Sequence, residues 1–445
     1  MIDTIINKIR NKNVAILGFG REGKSTYKFI RKYLKEQVLT IIDQKDFEID
    51  DNNVIKIVGE NYLDNLNIYD LIIKTPGISL KDVDISKIKN KITSELELLL
   101  EVNRKNTIGI TGTKGKSTTS TLLYEVLKDQ LDDVYLLGNI GIPIFDAIEH
   151  INENSKLVIE MSSHQLEFVE CSPHISIILN LYQDHLDHTG SLKHYHQNKM
   201  NIFKYQDSND YSIYSSDNDY LKEEMSEYDY KGIKYTVRFD NLEKEYNYTR
   251  ITDKDIYIND KFIYHDDKRN IIGDHNLKNI MFVLTVVNIL GLSIERAKRI
   301  IEEFHGLKYR MEYIGKYHDI KFYNDTIATV PNATISAVEA IGDINTLIIG
   351  GLDRGIDYSE FILYLKNSNI KNIICMPTTG NFIGKELESV KNIIYVDTLK
   401  EAYDNAIKYT KKGMSCILSP AAASYEFFKN FEEKGKCFED IVKNN

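Results

Sequence analysis

Short runs of β-branched and aliphatic residues punctuate the first 75 positions, at 14–17, 39–43, 54–58 and 71–73, with helically spaced stretches between them. Unbroken apolar runs of this length suit strands buried on both faces, so the alternation predicts a parallel sheet with crossover helices. A Thr75-Pro76-Gly77-Ile78 turn closes this block. The pattern restarts at Ser94, where S-E-L-E predicts a capped helix, and continues with runs at 108–111, 134–137, 157–161 and 175–179. From about Tyr205 to Asp266 the chain becomes rich in Tyr, Asp and Asn and its hydrophobic period falls to two. Residues 255–264 read there as a hairpin turning at Asn259-Asp260. A helical run at 276–290 leads to a third block, with strands at 320–323, 347–349, 373–376, 393–396 and 416–418.

A chain of 445 residues is too long for one core. The expected fold class is α/β in three domains: a Rossmann-like sheet over 1–94, a central P-loop mononucleotide-binding sheet over 95–305, and a second Rossmann-like sheet over 306–445. His305-Gly306 is the expected hinge before the last of these.

Two glycine-rich turns carry the first chemistry. Residues 107–119 read T-I-G-I-T-G-T-K-G-K-S-T-T: an apolar strand, a turn, then a helix. Backbone N–H groups of such a turn bind phosphate, Lys116 adds a cation, and Ser117 offers Mg²⁺ a hydroxyl. Residues 14–25 read V-A-I-L-G-F-G-R-E-G-K-S and satisfy two patterns at once. Gly18, Gly20 and Gly23 give G-x-G-x-x-G with Asp43 about 20 residues on, as in a dinucleotide site. The same stretch spells G-x-x-x-x-G-K-S, the strict P-loop string, which the Lys116 turn does not match. Either turn can hold a pyrophosphate.

Composition narrows the field. A net charge of −10 without a basic stripe argues against nucleic acid as a partner. The charged opening residues are no signal peptide, and the apolar run near 281–292 is broken by Asn288 and too short for a bilayer. Cys171, Cys375, Cys416 and Cys437 lack C-x-x-C spacing and read as reduced thiols. A cytoplasmic protein without membrane insertion is expected.

Further candidates cluster at strand ends. Glu160, after the run at 157–159, stands where a P-loop sheet holds Mg²⁺, although it could equally cap the next helix. Asn180 to His188 (N-L-Y-Q-D-H-L-D-H) groups Asp184, His185, Asp187 and His188. His-x-x-His without cysteine or a clear third ligand is a weak zinc pattern. Lys199, in a helical stretch beyond, reads on its own as a solvated surface lysine.

Taken together and in order, these segments resemble the Mur ligases, ATP-dependent amide-forming enzymes of cell-wall peptide synthesis. The resemblance runs over essentially the whole chain. It rests on T-G-T-K-G-K-S-T-T (111–119), G-N-I-G (138–141), E-M-S-S-H-Q-L-E (160–167) and N-L-Y-Q-D-H-L-D (180–187). Lys199, G-D-H-N-L-K-N (273–279), Y-R-M-E (309–312), N-D-T-I-A-T (324–329) and S-P-A-A-A-S-Y-E-F-F-K-N-F (419–431) complete it. It implies that 1–94 binds a UDP substrate, 95–305 binds ATP and 306–445 binds the incoming amino acid.

By the same resemblance Gly18, Phe19, Gly20, Arg21, Asp43, Thr75, Pro76 and Gly77 line the UDP pocket, with Asn139 and Ser162 as further substrate contacts. Gly112, Thr113, Lys114, Gly115, Lys116, Ser117 and Thr118 hold the ATP phosphates, joined by Asn279, Arg310, Asn324 and Asp325. Ser117, Glu160, His185 and Lys199 hold Mg²⁺ at two sites, Lys199 as a carbamate formed with CO₂. Lys116, Lys199, His185 and Glu160 form the catalytic set, and Arg354, Ser424 and Phe431 receive glutamate. The implied reaction, in a monomer, adds D-glutamate to UDP-N-acetylmuramoyl-L-alanine through an acyl phosphate.

Two positions depart from the family pattern. Ile327 stands where the family has a lysine, and Gly350-Gly351-Leu352-Asp353-Arg354 replaces G-G-x-x-K. A branch that adds L-glutamate carries a similar G-G-x-D-R-G turn, so that alternative stays open. Folylpolyglutamate or cyanophycin-type ligases and an NAD-dependent oxidoreductase are the more distant readings.

Overall fold

The computed structural model describes residues 1–182, 191–239, 246–271, 273–425 and 427–445. The chain divides into two compact units, Met1–Lys268 with Asp274–Glu302, and Arg269–Gly273 with Glu303–Asn445. The first unit contains two sheets. One is wholly parallel, in the order β3-β2-β1-β4-β5, with β1 (Val14–Leu17), β2 (Leu39–Asp43), β3 (Val54–Val58), β4 (Leu71–Lys74) and β5 (Ile92–Thr93). Its strand order reverses about β1, which puts the Gly18 turn at the switch point where such sheets bind ligands.

The second sheet comprises β6 (Thr107–Thr111), β7 (Val134–Gly138), β8 (Lys156–Glu160), β9 (Ile175–Ile178), β10 (Tyr211–Ser215) and β11 (Ile233–Arg238). It continues through β12 (Asn247–Thr252), β13 (Asp255–Ile258) and β14 (Lys261–His265). The order is β14-β13-β12-β11-β10-β9-β6-β8-β7, parallel as far as β12. The edge hairpin turns at Asn259 (φ 48°) and Asp260 (φ 63°). Two successive left-handed residues match the right-handed strand twist, and Asn and Asp tolerate them best. Again the order reverses beside the first strand, β6, so the Lys116 turn occupies this sheet's switch point.

One hydrophobic cluster accounts for both sheets sharing a unit. It runs from Ile16 and Phe29 through Leu98, Phe145 and Leu157 to Phe203 without a break. The rings of Phe29 and Phe145 stack at 4.3 Å. Polar ties follow the same seam: Gln165 Nε2 donates to Glu22 Oε1 (2.9 Å), Arg21 Nη2 to the Gly138 carbonyl (3.2 Å), and Lys74 Nζ faces Glu167 Oε2 at 3.4 Å. Burial pulls the Lys74 amine below the ordinary lysine range, with Glu167 pushing it back up.

The second unit carries one mixed sheet, β15-β16-β20-β17-β18-β19, with β15 (Glu312–Tyr317), β16 (Ile320–Asn324), β17 (Ile344–Gly351), β18 (Asn372–Thr378), β19 (Asn392–Tyr395) and β20 (Ser415–Leu418). Only β15 runs antiparallel to its neighbour. Alternate residues of β17 feed the two faces, Leu347 and Ile349 into one cluster and Ile348 into the other. Among the described residues no helix is long and apolar enough to cross a membrane.

Ser94 caps the helix Glu95–Asn103 as its S-E-L-E spelling predicts, accepting from Glu97 N at 3.1 Å. Glu95 itself is buried in the seam. Thr26 Oγ1 donates to its Oε1 (2.8 Å), while among the described residues Oε2 lies within hydrogen-bond geometry of none. Burial, and then the charge of Glu22, push its carboxyl up to about 8. The folded state therefore keeps the proton that the unfolded chain releases near 4.5, and stability falls as pH rises from there towards 8. Glu95→Gln, which mimics the neutral acid, should melt higher than wild type at pH 8 and close to it at pH 5. A melting difference that is the same at both pH values would show that Glu95 ionises without penalty.

Candidate active site

The helix Lys116–Gln130 begins directly at Lys116, with Gly115 as its N-cap at φ 85°. A Cβ at Gly115 would stand 2.8 Å from Asn279 Oδ1, so the turn closes only with glycine there and Asn279 lies against its backbone. Lys116 is the first helical residue and Ser117 the second, where N–H groups unsatisfied by the helix point towards an anion. Lys116 Nζ donates to the carbonyls of Gly112 (2.9 Å) and Thr113 (3.0 Å).

Asn180, just past β9, fixes the loop from the side. Its Oδ1 accepts from Lys114 N (2.8 Å), its Nδ2 donates to the Lys114 carbonyl (3.0 Å), and its own carbonyl accepts from Thr113 N (3.0 Å). Thr113 Oγ1 in turn accepts from Tyr182 N at 3.0 Å. Sequence reasoning quoted Asn180 within a motif without giving it a role; its place at a strand end beside the P-loop strand was the available signal.

Lys199 overturns its surface reading. It is 1% exposed, on the inward face of the helix Leu192–Lys204, with Nζ 3.0 Å from the Gly112 carbonyl and 3.4 Å from Thr111 Oγ1. The Tyr195 ring lies 4.8 Å from the amine. Two lysines from different helices thus reach the same carbonyl.

Glu160 ends β8, paired in register with Ile110 two residues before Gly112. It is 1% exposed, and it does not cap the next helix. Ser162 does that, in a capping box with Gln165: Gln165 N donates to Ser162 Oγ (3.2 Å) and Ser162 N to Gln165 Oε1 (3.0 Å). Asn139 Nδ2 donates to Glu160 Oε1 at 2.7 Å, while Oε2 is buried and, among the described residues, has no hydrogen-bond partner. A buried carboxylate oxygen left so is costly unless a cation meets it. As an oxygen ligand it suits a hard divalent metal such as Mg²⁺. His185, with Asp184, Asp187 and His188, lies outside the described residues.

The Gly18 turn is built differently. Its helix, Arg21–Tyr33, starts with Gly20 as N-cap, so Lys24 falls on the fourth helical residue and is exposed, and Ser25 is buried. The strict P-loop spelling therefore places neither lysine nor hydroxyl at the helix mouth. Asp43 Oδ2 accepts from Phe19 N (2.7 Å) and Oδ1 from Lys45 N (2.9 Å), so its carboxylate shapes the turn. Thr75 N donates to the Leu17 carbonyl (2.9 Å) and brings Thr75-Pro76-Gly77 beside Gly18, while Arg21 reaches Gly138 as described.

The other candidates belong to the second unit. Asp325 is 3% exposed; its Oδ1 accepts from Met311 N (3.1 Å) and its Oδ2 from Ser419 Oγ (2.7 Å). Burial pushes its carboxyl up to about 7, opposed by these bonds and by the charge of exposed Arg310. Ile327 N donates to the Tyr309 carbonyl (3.1 Å), stitching the Arg310 turn to the Asn324–Ile327 loop. Arg354 Nη2 donates to the Thr329 carbonyl (3.2 Å). Ser424 is buried and, among the described residues, its hydroxyl has no hydrogen-bond partner; the Phe431 ring meets Tyr309 edge-on at 6.4 Å.

A β-strand ending in a glycine turn, a cation at the helix mouth and a buried acid on the neighbouring strand define a nucleotide-dependent enzyme of the P-loop sheet class. The sequence pattern of the Mur ligase middle domain matches residues 110–287, and that of the Mur ligase glutamate ligase domain matches 309–422. The chain is 34% identical over 452 residues to UDP-N-acetylmuramoylalanine--D-glutamate ligase of Clostridium botulinum (strain Langeland), covering 98% of this chain and 97% of that one. The enzyme of the same name from Clostridium tetani is 31% identical, with the same coverage. This chain belongs to the Mur ligase family, and the relatives that it resembles along its full length are the D-glutamate-adding ligases. In fold it matches the MurF ligase of Thermotoga maritima in complex with ADP (TM-score 0.56, 17% identity, 99% of this chain and 97% of that one). It also matches Escherichia coli FolC in complex with DHPP and ADP (TM-score 0.55, 14% identity, 79% and 93%).

The different helix starts of the two turns generate a direct test. Lys116→Ala should abolish ATP binding measured by calorimetry, while Lys24→Ala should leave it within about twofold, because an exposed second-turn lysine lies off the helix mouth. Loss of ATP binding in Lys24→Ala alone would reverse the assignment.

Proposed function

We infer that this chain is an ATP-dependent amide ligase that joins D-glutamate to UDP-N-acetylmuramoyl-L-alanine, releasing ADP and phosphate, in peptidoglycan precursor synthesis. The observation that carries the reading is the convergence of Lys116 and Lys199 on the Gly112 carbonyl, just past the strand that pairs with the one Glu160 ends. The relatives' name supplies the substrates. The enzyme works as a monomer in the cytoplasm, where ATP and UDP-linked sugars are made.

In the proposed reaction the alanyl carboxylate attacks the γ-phosphorus of ATP, the bond to ADP breaks, and an acyl phosphate forms. The amine of glutamate then attacks that carbonyl, loses its proton, and phosphate departs with the C–O electron pair. Phosphoryl transfer asks for position and charge neutralisation more than for covalent help. The N–H groups from Gly115 to Ser117 bind the phosphates, Lys116 adds its charge, and Asn180, which accepts from the N–H groups of Thr113 and Lys114, keeps the loop in shape beforehand. Gly18 to Arg21 and Thr75 to Gly77 take the UDP portion. Asn279, against Gly115, borders the nucleotide. When bound at Ser117, Glu160, His185 and Lys199, Mg²⁺ supplies charge neutralisation on the phosphates.

Lys199 is proposed to act as a carbamate: its nitrogen adds to CO₂ and releases a proton, replacing a donor with oxygen acceptors suited to a hard cation. Lys199→Ala should then be nearly inactive and partly recovered by added formate or acetate. Full activity in that variant would end the carbamate reading.

A second reading, addition of L-glutamate, rests on the Gly350–Arg354 turn, which resembles the G-G-x-D-R-G turn of an L-glutamate-adding branch; in either case the guanidinium can grip a carboxylate through two N–H groups where lysine offers a point charge. Ser424 and Phe431, which match the D-glutamate enzymes, keep D-glutamate ahead. Phosphate release with UDP-N-acetylmuramoyl-L-alanine and each enantiomer decides between them. Preference for D-glutamate is expected; preference for L-glutamate would reverse the handedness, and activity with neither would remove the glutamate assignment.

A further inference from the structure

Lys434 lies in the first turns of the helix Phe431–Asn444 and is 2% exposed. Its Nζ donates to the Gly350 carbonyl at 2.9 Å, and among the described residues no carboxylate pairs with it. Burial brings its amine down to about 8. A buried cation without a counter-charge destabilises the fold, so a side chain used only for packing would be better apolar.

What it touches is the turn expected to receive the amino acid. Gly350 and Gly351 have φ of 121° and 152°, and a Cβ at Gly350 would lie 2.5 Å from the Met376 carbonyl. Glycine permits this conformation but does not hold it, so the backbone groups must be fixed one by one. Gly350 N donates to the Pro420 carbonyl (2.9 Å), Leu352 N to the Ala423 carbonyl (2.9 Å), and Thr379 Oγ1 to the Gly351 carbonyl (2.9 Å). Lys434 holds the remaining inner carbonyl. The turn then presents Arg354, and it pairs at Leu352 with the residue before Ser424, whose buried hydroxyl has no hydrogen-bond partner among the described residues.

The same helical turn also grips the other loop. Asn324 Nδ2 donates to the Gly435 carbonyl (2.9 Å), and a Cβ at Gly435 would fall 2.2 Å from the Tyr309 ring and 2.6 Å from Thr326 Oγ1. Of these contacts only that of Lys434 falls on the Gly350 side.

We propose that Lys434 is a positioning residue for the incoming amino acid, holding the Gly350–Gly351 turn in the shape that presents Arg354 and Ser424 to it. The proposal rests on the glutamate-ligase reading above. It predicts an effect confined to one substrate, because the nucleotide-side loop keeps its own ties through Asn324 and Gly435.

Steady-state phosphate release with the full chain tests it. Lys434→Met should raise KM for D-glutamate about tenfold or more, with KM for ATP and for UDP-N-acetylmuramoyl-L-alanine within about twofold; Lys434→Arg, which keeps a charged donor, should recover most of the loss. Thermal melts establish that each variant folds. Should Lys434→Met not fold, Lys434→Gln takes its place: polar but one bond shorter, it cannot reach Gly350, and the same selective rise is expected. A folded variant with unchanged glutamate KM, or one in which all three KM values rise together, overturns the positioning role while leaving the ligase reading intact. Absence of glutamate turnover by the wild-type chain overturns both.

Discussion

Everything in the first unit's chemistry hangs on one peptide carbonyl. The Gly112 oxygen, at the end of β6, accepts from Lys116 on the helix that follows it and from Lys199 on a helix that begins some eighty residues later. A strand end that meets a helix N-terminus and cations is a natural anion site. Glu160, which ends the neighbouring strand β8, has one oxygen tied by Asn139 and, among the described residues, no hydrogen-bond partner for the other. Without the pairing of β8 and β9 on either side of β6, none of these groups would meet.

The two glycine turns show how similar strings produce different sites. Both follow the first strand of a parallel sheet and both precede a helix. The difference is where the helix begins. At Lys116 the cation and hydroxyl are its first two residues, whereas at Gly20 the helix starts three residues earlier than the lysine and turns Lys24 to solvent. A substrate that brings its own pyrophosphate can use the N–H groups of the second turn without a cation at the mouth. The shared core of Ile16, Phe29, Leu98, Phe145 and Leu157 then carries this turn and the Lys116 turn in one body.

The second unit uses a different economy of charge. Asp325 is held by Ser419 and a backbone N–H and kept up near 7, while Lys434 is brought down to about 8 with, among the described residues, no acid beside it. Burial works on both in the sense that favours their neutral forms. Each is retained against that cost by a hydrogen bond to the loop it steadies.

Most of the architecture was written in the local pattern. Period and run length located the β-branched strands of the three blocks to within a few residues but not β5, β10, β11, β12 or β15, and the Ser94 cap and the Asn259-Asp260 turn were legible because each depends on its immediate neighbours alone. The motif residues of the Lys116 turn were legible for the same reason. What the sequence left undecided depends on strand order. Lys199 reads as a surface residue until the helix Leu192–Lys204 packs its inward face on β6 and β9. Glu160 is as good a cap as a ligand until Ser162 takes the cap. Asn180 and Lys434 carry no local mark, because their partners, Lys114 and Gly350, are 66 and 84 residues away. Local chemistry fixed which groups this chain possesses; only the burial of long-range neighbours, which removes water as an alternative partner, decided what each of them does.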